Sequence, residues 1–166
     1  MKPLIFFIVM LATHFPTSLQ SQSGFQTIET NHPDYENAIE KSTQLNKPIL
    51  ILFTSSTCEN PVESNKLLKH SKELASIIEE ELIFLQLFVD DMTPLDENEI
   101  YISKLNKRTI NTVGARNTDL EKRMFDYNNT PFYVVLNKAE KVIKTSKHLE
   151  TKAEVVNFLK SALNNN

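Results

Sequence analysis

Among its 166 residues the chain has a single cysteine, Cys58, only two glycines, Gly24 and Gly114, and no tryptophan. Each shortage excludes something. One cysteine cannot close an internal disulfide, so the fold must be held by burial, and an unpaired thiol is either hidden, shared with another molecule or functional. Two isolated glycines leave no glycine-rich loop to cradle a phosphate. Eighteen Lys and Arg against 21 Asp and Glu give a formal charge of −3, so there is no basic excess and nucleic acid is not expected as a partner. His32, His70 and His148 are scattered, and one cysteine does not complete a zinc set. Around Asp90, Asp91, Asp96, Glu97 and Glu99 the acidic residues lack calcium-loop spacing and read as a solvated strand end and loop. No metal and no cofactor are expected.

Long apolar runs are also missing. Leu4–Ala12 (LIFFIVMLA) has nine residues, where a membrane-spanning helix needs about 20. Preceded by Lys2 and broken by His14, Pro16 and the polar string Thr17–Gln22, it has the form of an export-signal core. Residues 1–22 are therefore expected to be a cleaved signal, with cleavage between Ser18 and Ser23, and 23–33 a linker. The mature chain is expected to be extracytoplasmic, most simply periplasmic, monomeric and free of the membrane.

What remains has the balance of a globular domain, with 40% hydrophobic and 23% charged residues. Asp34–Asn46 reads as a helix with Asp34 as N-cap and Tyr35, Ala38, Ile39 and Leu45 as its apolar stripe. Lys47-Pro48 ends it. Ile49–Phe53 (ILILF) is an unbroken apolar run, the pattern of a central strand buried on both faces. Thr54–Asn60 (TSSTCEN) is a polar loop, and Pro61 opens a helix expected to reach Glu81. Leu82–Val89 (LIFLQLFV) is a second strand. Residues 92–117 have no clear period and read as a long insertion loop with room for a short helix or hairpin. Thr118–Tyr127 is expected as a helix capped by Thr118, with Glu121 completing a capping box. Phe132–Leu136 and Val142–Thr145 form a hairpin across 137–141, Phe132 and Tyr133 being core. Thr151–Leu163 is a closing amphipathic helix, and 164–166 a tail.

This order predicts an α/β fold with a mixed sheet and helices on both faces, its first two strands joined by a right-handed crossover. With a cysteine just after the first buried strand and Thr130-Pro131 just before the third, it resembles the thioredoxin layout over 34–163. Residues 47–65 (KPILILFTSSTCENPVESN), 82–94 (LIFLQLFVDDMTP) and 129–136 (NTPFYVVL) are similar to the C-terminal domain of DsbD-type thiol–disulfide interchange proteins. The resemblance implies a three-layer sandwich with a sheet of about four strands and a protein or peptide thiol or disulfide as partner. It also implies a CxxC motif whose first cysteine is activated at a helix N-terminus and whose second resolves the mixed disulfide.

Here the motif is degenerate. Cys58-Glu59-Asn60-Pro61, preceded by Thr57, keeps the attacking cysteine but puts proline at the resolving position. Leu52 stands where related domains place a buried acid–base carboxylate, and Glu59 adds a charge that opposes thiolate formation. Thr130-Pro131 matches the pair that, in the family, presents backbone to an extended substrate. Two functions stay open: monothiol chemistry at Cys58, with a mixed disulfide resolved by a second molecule, or a redox-inactive module that holds an extended peptide in the same groove. A third possibility is a partner subunit that makes contact through 92–117.

Overall fold

A computed structural model describes residues 32–57 and 71–165. The expected signal, nearly all of the linker, and the motif Cys58–Pro61 lie outside the described residues.

A four-stranded sheet in the order β2-β1-β5-β6 is the middle layer. Its strands are β1 (Ile49–Thr54), β2 (Ile83–Phe88), β5 (Phe132–Leu136) and β6 (Val142–Ser146). β1 and β2 are parallel, in register from Ile49↔Ile83 to Thr54↔Phe88. β5 runs antiparallel to β1, from Ile49↔Leu136 to Phe53↔Phe132, and β6 antiparallel to β5. All six residues of β1 are buried, as its unbroken ILILF run predicts for a strand covered on both faces.

Alternation of side chains along the strands divides the core in two. On one face Ile49, Ile51, Phe53, Phe132, Val134 and Leu136 meet Tyr35 and Ala38 of α1 (Pro33–Leu45) and Leu120 of α3 (Val113–Phe125). On the other, Leu50, Leu52, Tyr133 and Val135 meet Leu74 of α2 (Lys72–Glu81) and Val155, Phe158 and Leu159 of α4 (Lys152–Leu163). The three-layer expectation holds, with four α-helices among the described residues.

Several boundaries are corrected. The N-cap of α1 is His32, whose Nδ1 accepts from the Tyr35 N–H at 3.3 Å, with Pro33 in the first turn. Asp34 is one residue inside the helix. Leu45 is 58% exposed and lies off the apolar stripe. A continuous helix from Pro61 to Glu81 is excluded, because Ser71 has extended backbone and caps α2, accepting from the Leu74 N–H.

The largest correction concerns 92–117, which is built rather than loose. A 3-10 turn at Glu97–Glu99 leads into the ribbon β3 (Tyr101–Ile102) and β4 (Thr109–Ile110). Helix α3 then starts at Val113, with Thr112 as the cap, not Thr118. Thr118 instead donates its hydroxyl back to the Gly114 carbonyl at 2.9 Å. α3 also stops at Phe125, short of Tyr127, with Asp126 left-handed at its end.

Scarce glycine leaves a mark on the backbone. Among the described residues the positive-φ positions, Asn46, Lys107, Asp126 and Glu140, are all non-glycine. Gly114 serves a different need, close approach. A Cβ there would sit 2.6 Å from the Asp91 nitrogen and 2.6 Å from the Val89 oxygen.

Candidate functional site

The site is built where β1 ends. Because β5 is antiparallel to β1 and Phe53 pairs with Phe132, the residues just before Phe132 lie beside the residues just after Phe53. Thr130-Pro131 thus flanks the exit of β1 toward Ser55, Ser56 and Thr57. The Thr130–Pro131 peptide is cis, with Pro131 buried and Thr130 half-buried. Beneath it lies an aromatic cluster. Phe132 stacks on Phe53 at 6.3 Å between ring centroids and meets Phe125 edge-on at 5.9 Å and Tyr127 at 4.4 Å. A cleft of about 530 Å³ opens against Phe125, Tyr127, Phe132, Thr145 and Lys147, with the Lys147 ammonium 4.6 Å from the centre of the Tyr127 ring.

The loop leaving β1 is clasped by Asp90. Its carboxylate accepts from the Ser55 hydroxyl at 2.6 Å, the Ser56 hydroxyl at 2.7 Å and the Ser56 N–H at 2.9 Å. Ser55 Oγ in turn accepts from the Thr57 N–H at 3.2 Å. Burial works to raise the Asp90 pKa, but the hydrogen bonds from Ser55 and Ser56 outweigh it and hold the carboxyl at about 2. Asp90 is therefore ionised across the ordinary pH range. Its neighbour Asp91 accepts from the Thr93 N–H at 2.9 Å, and the two aspartates serve separate turns rather than one acid–base pair.

Thr57 is the last described residue before the motif. Cys58, Glu59, Asn60 and Pro61 fall outside the described residues; of the residues singled out from the sequence, Thr130 and Pro131 lie at the start of β5 beside the exit of β1, and Thr57 is tied to Ser55 in the turn that follows β1. Leu52 is fully buried between α2 and α4, so an apolar side chain occupies the position noted for a carboxylate.

Three features escaped sequence reading. One is the Asp90 clasp, legible only once parallel register sets the turn after β2 beside the turn after β1. The second is a buried polar chain. With His32 Nδ1 accepting from Tyr35, His32 Nε2 donates to Asn117 Oδ1 at 2.7 Å, and Asn117 Nδ2 donates to the Phe88 carbonyl at 2.7 Å. Burial holds the His32 pKa below its ordinary value, against the opposing pull of the Asn117 bond. The third is Glu121, fully buried with both carboxylate oxygens unpartnered among the described residues; burial raises its pKa to about 8. No sequence signal distinguished Glu121 from the capping partner it resembled.

Among the described residues there is no cluster of His, Cys, Asp and Glu fit for a metal ion, and no helix long and apolar enough to cross a membrane.

A comparison with curated proteins returns no match. Among solved structures, the chain is similar to a DsbH oxidoreductase, at 21% identity over 78% of this chain and 81% of that one, with a TM-score of 0.58. It is similar to a disulphide isomerase from Xylella fastidiosa Temecula1, at 16% identity over 85% and 92%, TM-score 0.50. A thioredoxin from Thermus thermophilus matches at 16% identity over 76% and 81%, TM-score 0.53. At these identities the likeness is one of fold. A family model described as thioredoxin-like matches residues 30–138, and the chain therefore belongs to the thioredoxin-like family.

Proposed function

We propose that this chain is an exported, DsbD-like member of that family and works through the single thiol of Cys58. The supporting observation is the β1–β5 register, which sets Thr130-Pro131 beside the exit of β1, from which the chain passes through Ser55, Ser56 and Thr57 to Cys58 in sequence. In this reading residues 1–22 direct export, 23–33 form a linker, 34–163 are the working domain, and the site of action is extracytoplasmic.

The chemistry is a mixed-disulfide step. The Cys58 thiolate attacks one sulfur of a partner's disulfide, the new S–S bond forms as the old one breaks, and the partner's other sulfur leaves as a thiolate. Proline at position 61 supplies no second thiol, so a thiol of another molecule, protein or small, attacks the mixed disulfide and releases Cys58. Thr130-Pro131 offers backbone to the extended partner, and Thr57, held through Ser55 by Asp90, fixes the approach to Cys58.

A second reading follows from Leu52. With an apolar residue in the core below the loop, no carboxylate there can relay a proton, which favours a groove that binds an extended peptide without exchange. The rate of Cys58 alkylation as a function of pH, on folded protein with denatured protein as control, separates the two. An apparent pKa clearly below the free-thiol value of about 8.5, with a mixed disulfide to a small disulfide seen by mass spectrometry, is the result expected. A thiol that reacts only after unfolding overturns the monothiol reading and leaves the binding module.

A further inference from the structure

The excursion between β2 and α3 holds a second surface, whose cleft shares no lining residue with the cleft at Phe132. Six large apolar side chains are exposed among the described residues, and four of them, Met92, Ile100, Ile102 and Leu105, fall in this one stretch. The stretch is nonetheless firmly built. Leu95 and Ile110 are buried, the Leu95 N–H donates to the Asn111 carbonyl at 3.0 Å, and Pro94 bridges Thr112. Buried Asp119 of α3 accepts from the Tyr101 hydroxyl at 2.9 Å and from the Ser103 hydroxyl. Arg123 pairs with Asp119 at 2.9 Å, and Arg116 with Glu99 at 3.0 Å.

These pairs match two of the carboxylates here, while Asp96 and Glu97 at the 3-10 turn form no ion pair with a described residue. Asp119 and Glu99 are matched by Arg123 and Arg116. Between the ribbon and α3 lies a cleft of about 220 Å³ in which Leu105, Ile110 and Ala115 are joined by the polar Asn106, Thr109 and Thr118 and by the charged Arg108, Lys122 and Asp119. Arg108 and Lys122 form no ion pair with a described residue, and Lys107 stands beside Arg108 at the exposed tip. With Asp119 held by Arg123, the charge left over at this mixed cleft is cationic on a chain of net charge −3, and Leu105, Ile110 and Ala115 form its apolar part. The pocket is smaller than the roughly 300–1,000 Å³ of drug-sized ligand sites, which suits one large side chain.

We propose that this cleft docks an acidic peptide segment of a partner protein, one apolar side chain entering between Leu105, Ile110 and Ala115 and flanking carboxylates meeting Arg108 and Lys122. Opposite charge steers the encounter and sets orientation, while the buried apolar anchor supplies affinity.

The test probes the labelled full-length chain against an array of short peptides, with the central residue varied and the flanks either glutamate or lysine. Binding is expected where glutamate flanks a large apolar centre, weakening with salt. The Arg108→Glu/Lys122→Glu double variant should lose at least about ten-fold in affinity, and so should Leu105→Ser, with unchanged far-ultraviolet circular dichroism confirming that each remains folded. Binding indifferent to flank charge or to the centre overturns the proposal. So does a silent array, or a double variant that binds as the wild type. Capture of the wild type but not the double variant by phosphatidylglycerol vesicles overturns it in favour of a membrane surface. Self-association lost in the double variant overturns it in favour of a second copy.

Discussion

Two buried titratable side chains near the α1–α3 face pull stability in opposite directions as pH changes. For His32 the folded pKa lies below the ordinary 6.5, so its contribution is present above that value and is lost as pH falls, when the unfolded chain takes up a proton that the folded chain refuses. For Glu121 the folded pKa of about 8 stands above the ordinary 4.5. The unfolded chain gives up this proton from pH 4.5 upward while the folded chain retains it, so stability declines as pH rises and levels off above 8. Glu121→Gln removes the proton without emptying the space. Urea denaturation at pH 5 and pH 8 should show the variant gaining on the wild type toward pH 8, approaching a slope of about 1.4 kcal/mol per pH unit within the window. An equal difference at both ends would mean that Glu121 is ionised or solvated in the fold.

Among the elements, α3 shows where pattern reading succeeds and where it stops. β1, β5 and α4 carry their burial as apolar runs or stripes, and the sequence places them within a residue or two. The first two turns of α3 do not. Their inward face is Gly114, Arg116, Asn117 and Asp119, a set that looks like loop because its burial is satisfied by hydrogen bonds and ion pairs rather than by hydrophobic contact. The site divides the same way. Thr130-Pro131 stands out in the sequence because it precedes an apolar strand, and the proposed role of Cys58 rests on its following one, whereas Asp90 acquires its meaning only from the neighbouring strand's turn. Gly114 is a point of close backbone approach. With backbone atoms of Val89 and Asp91 within 2.8 Å of a would-be Cβ, Gly114→Ala forces α3 away from the end of β2. Despite alanine's better helix propensity of about 1 kcal/mol, a net loss of about 1–3 kcal/mol is expected, read as a lower urea midpoint. An unchanged midpoint would show that the helix can shift freely.

At the scale of the molecule, both proposed surfaces hang from the turn after β2: Asp90 holds the loop that leads to Cys58, and the excursion starting at Met92 carries the cationic cleft. Everything rests on β1, paired on both sides and covered on both faces. No local opening can bare such a strand to solvent while the rest stays folded, so its amide protons trade with deuterium only when the whole domain unfolds. Ile51 and Leu52 should therefore be among the slowest to exchange, ahead of edge strand β6, with rates that report global stability directly. Their exchange becomes an internal clock: any ligand that binds only the native state slows it by a factor of one plus the ratio of free ligand concentration to Kd, whichever surface it uses.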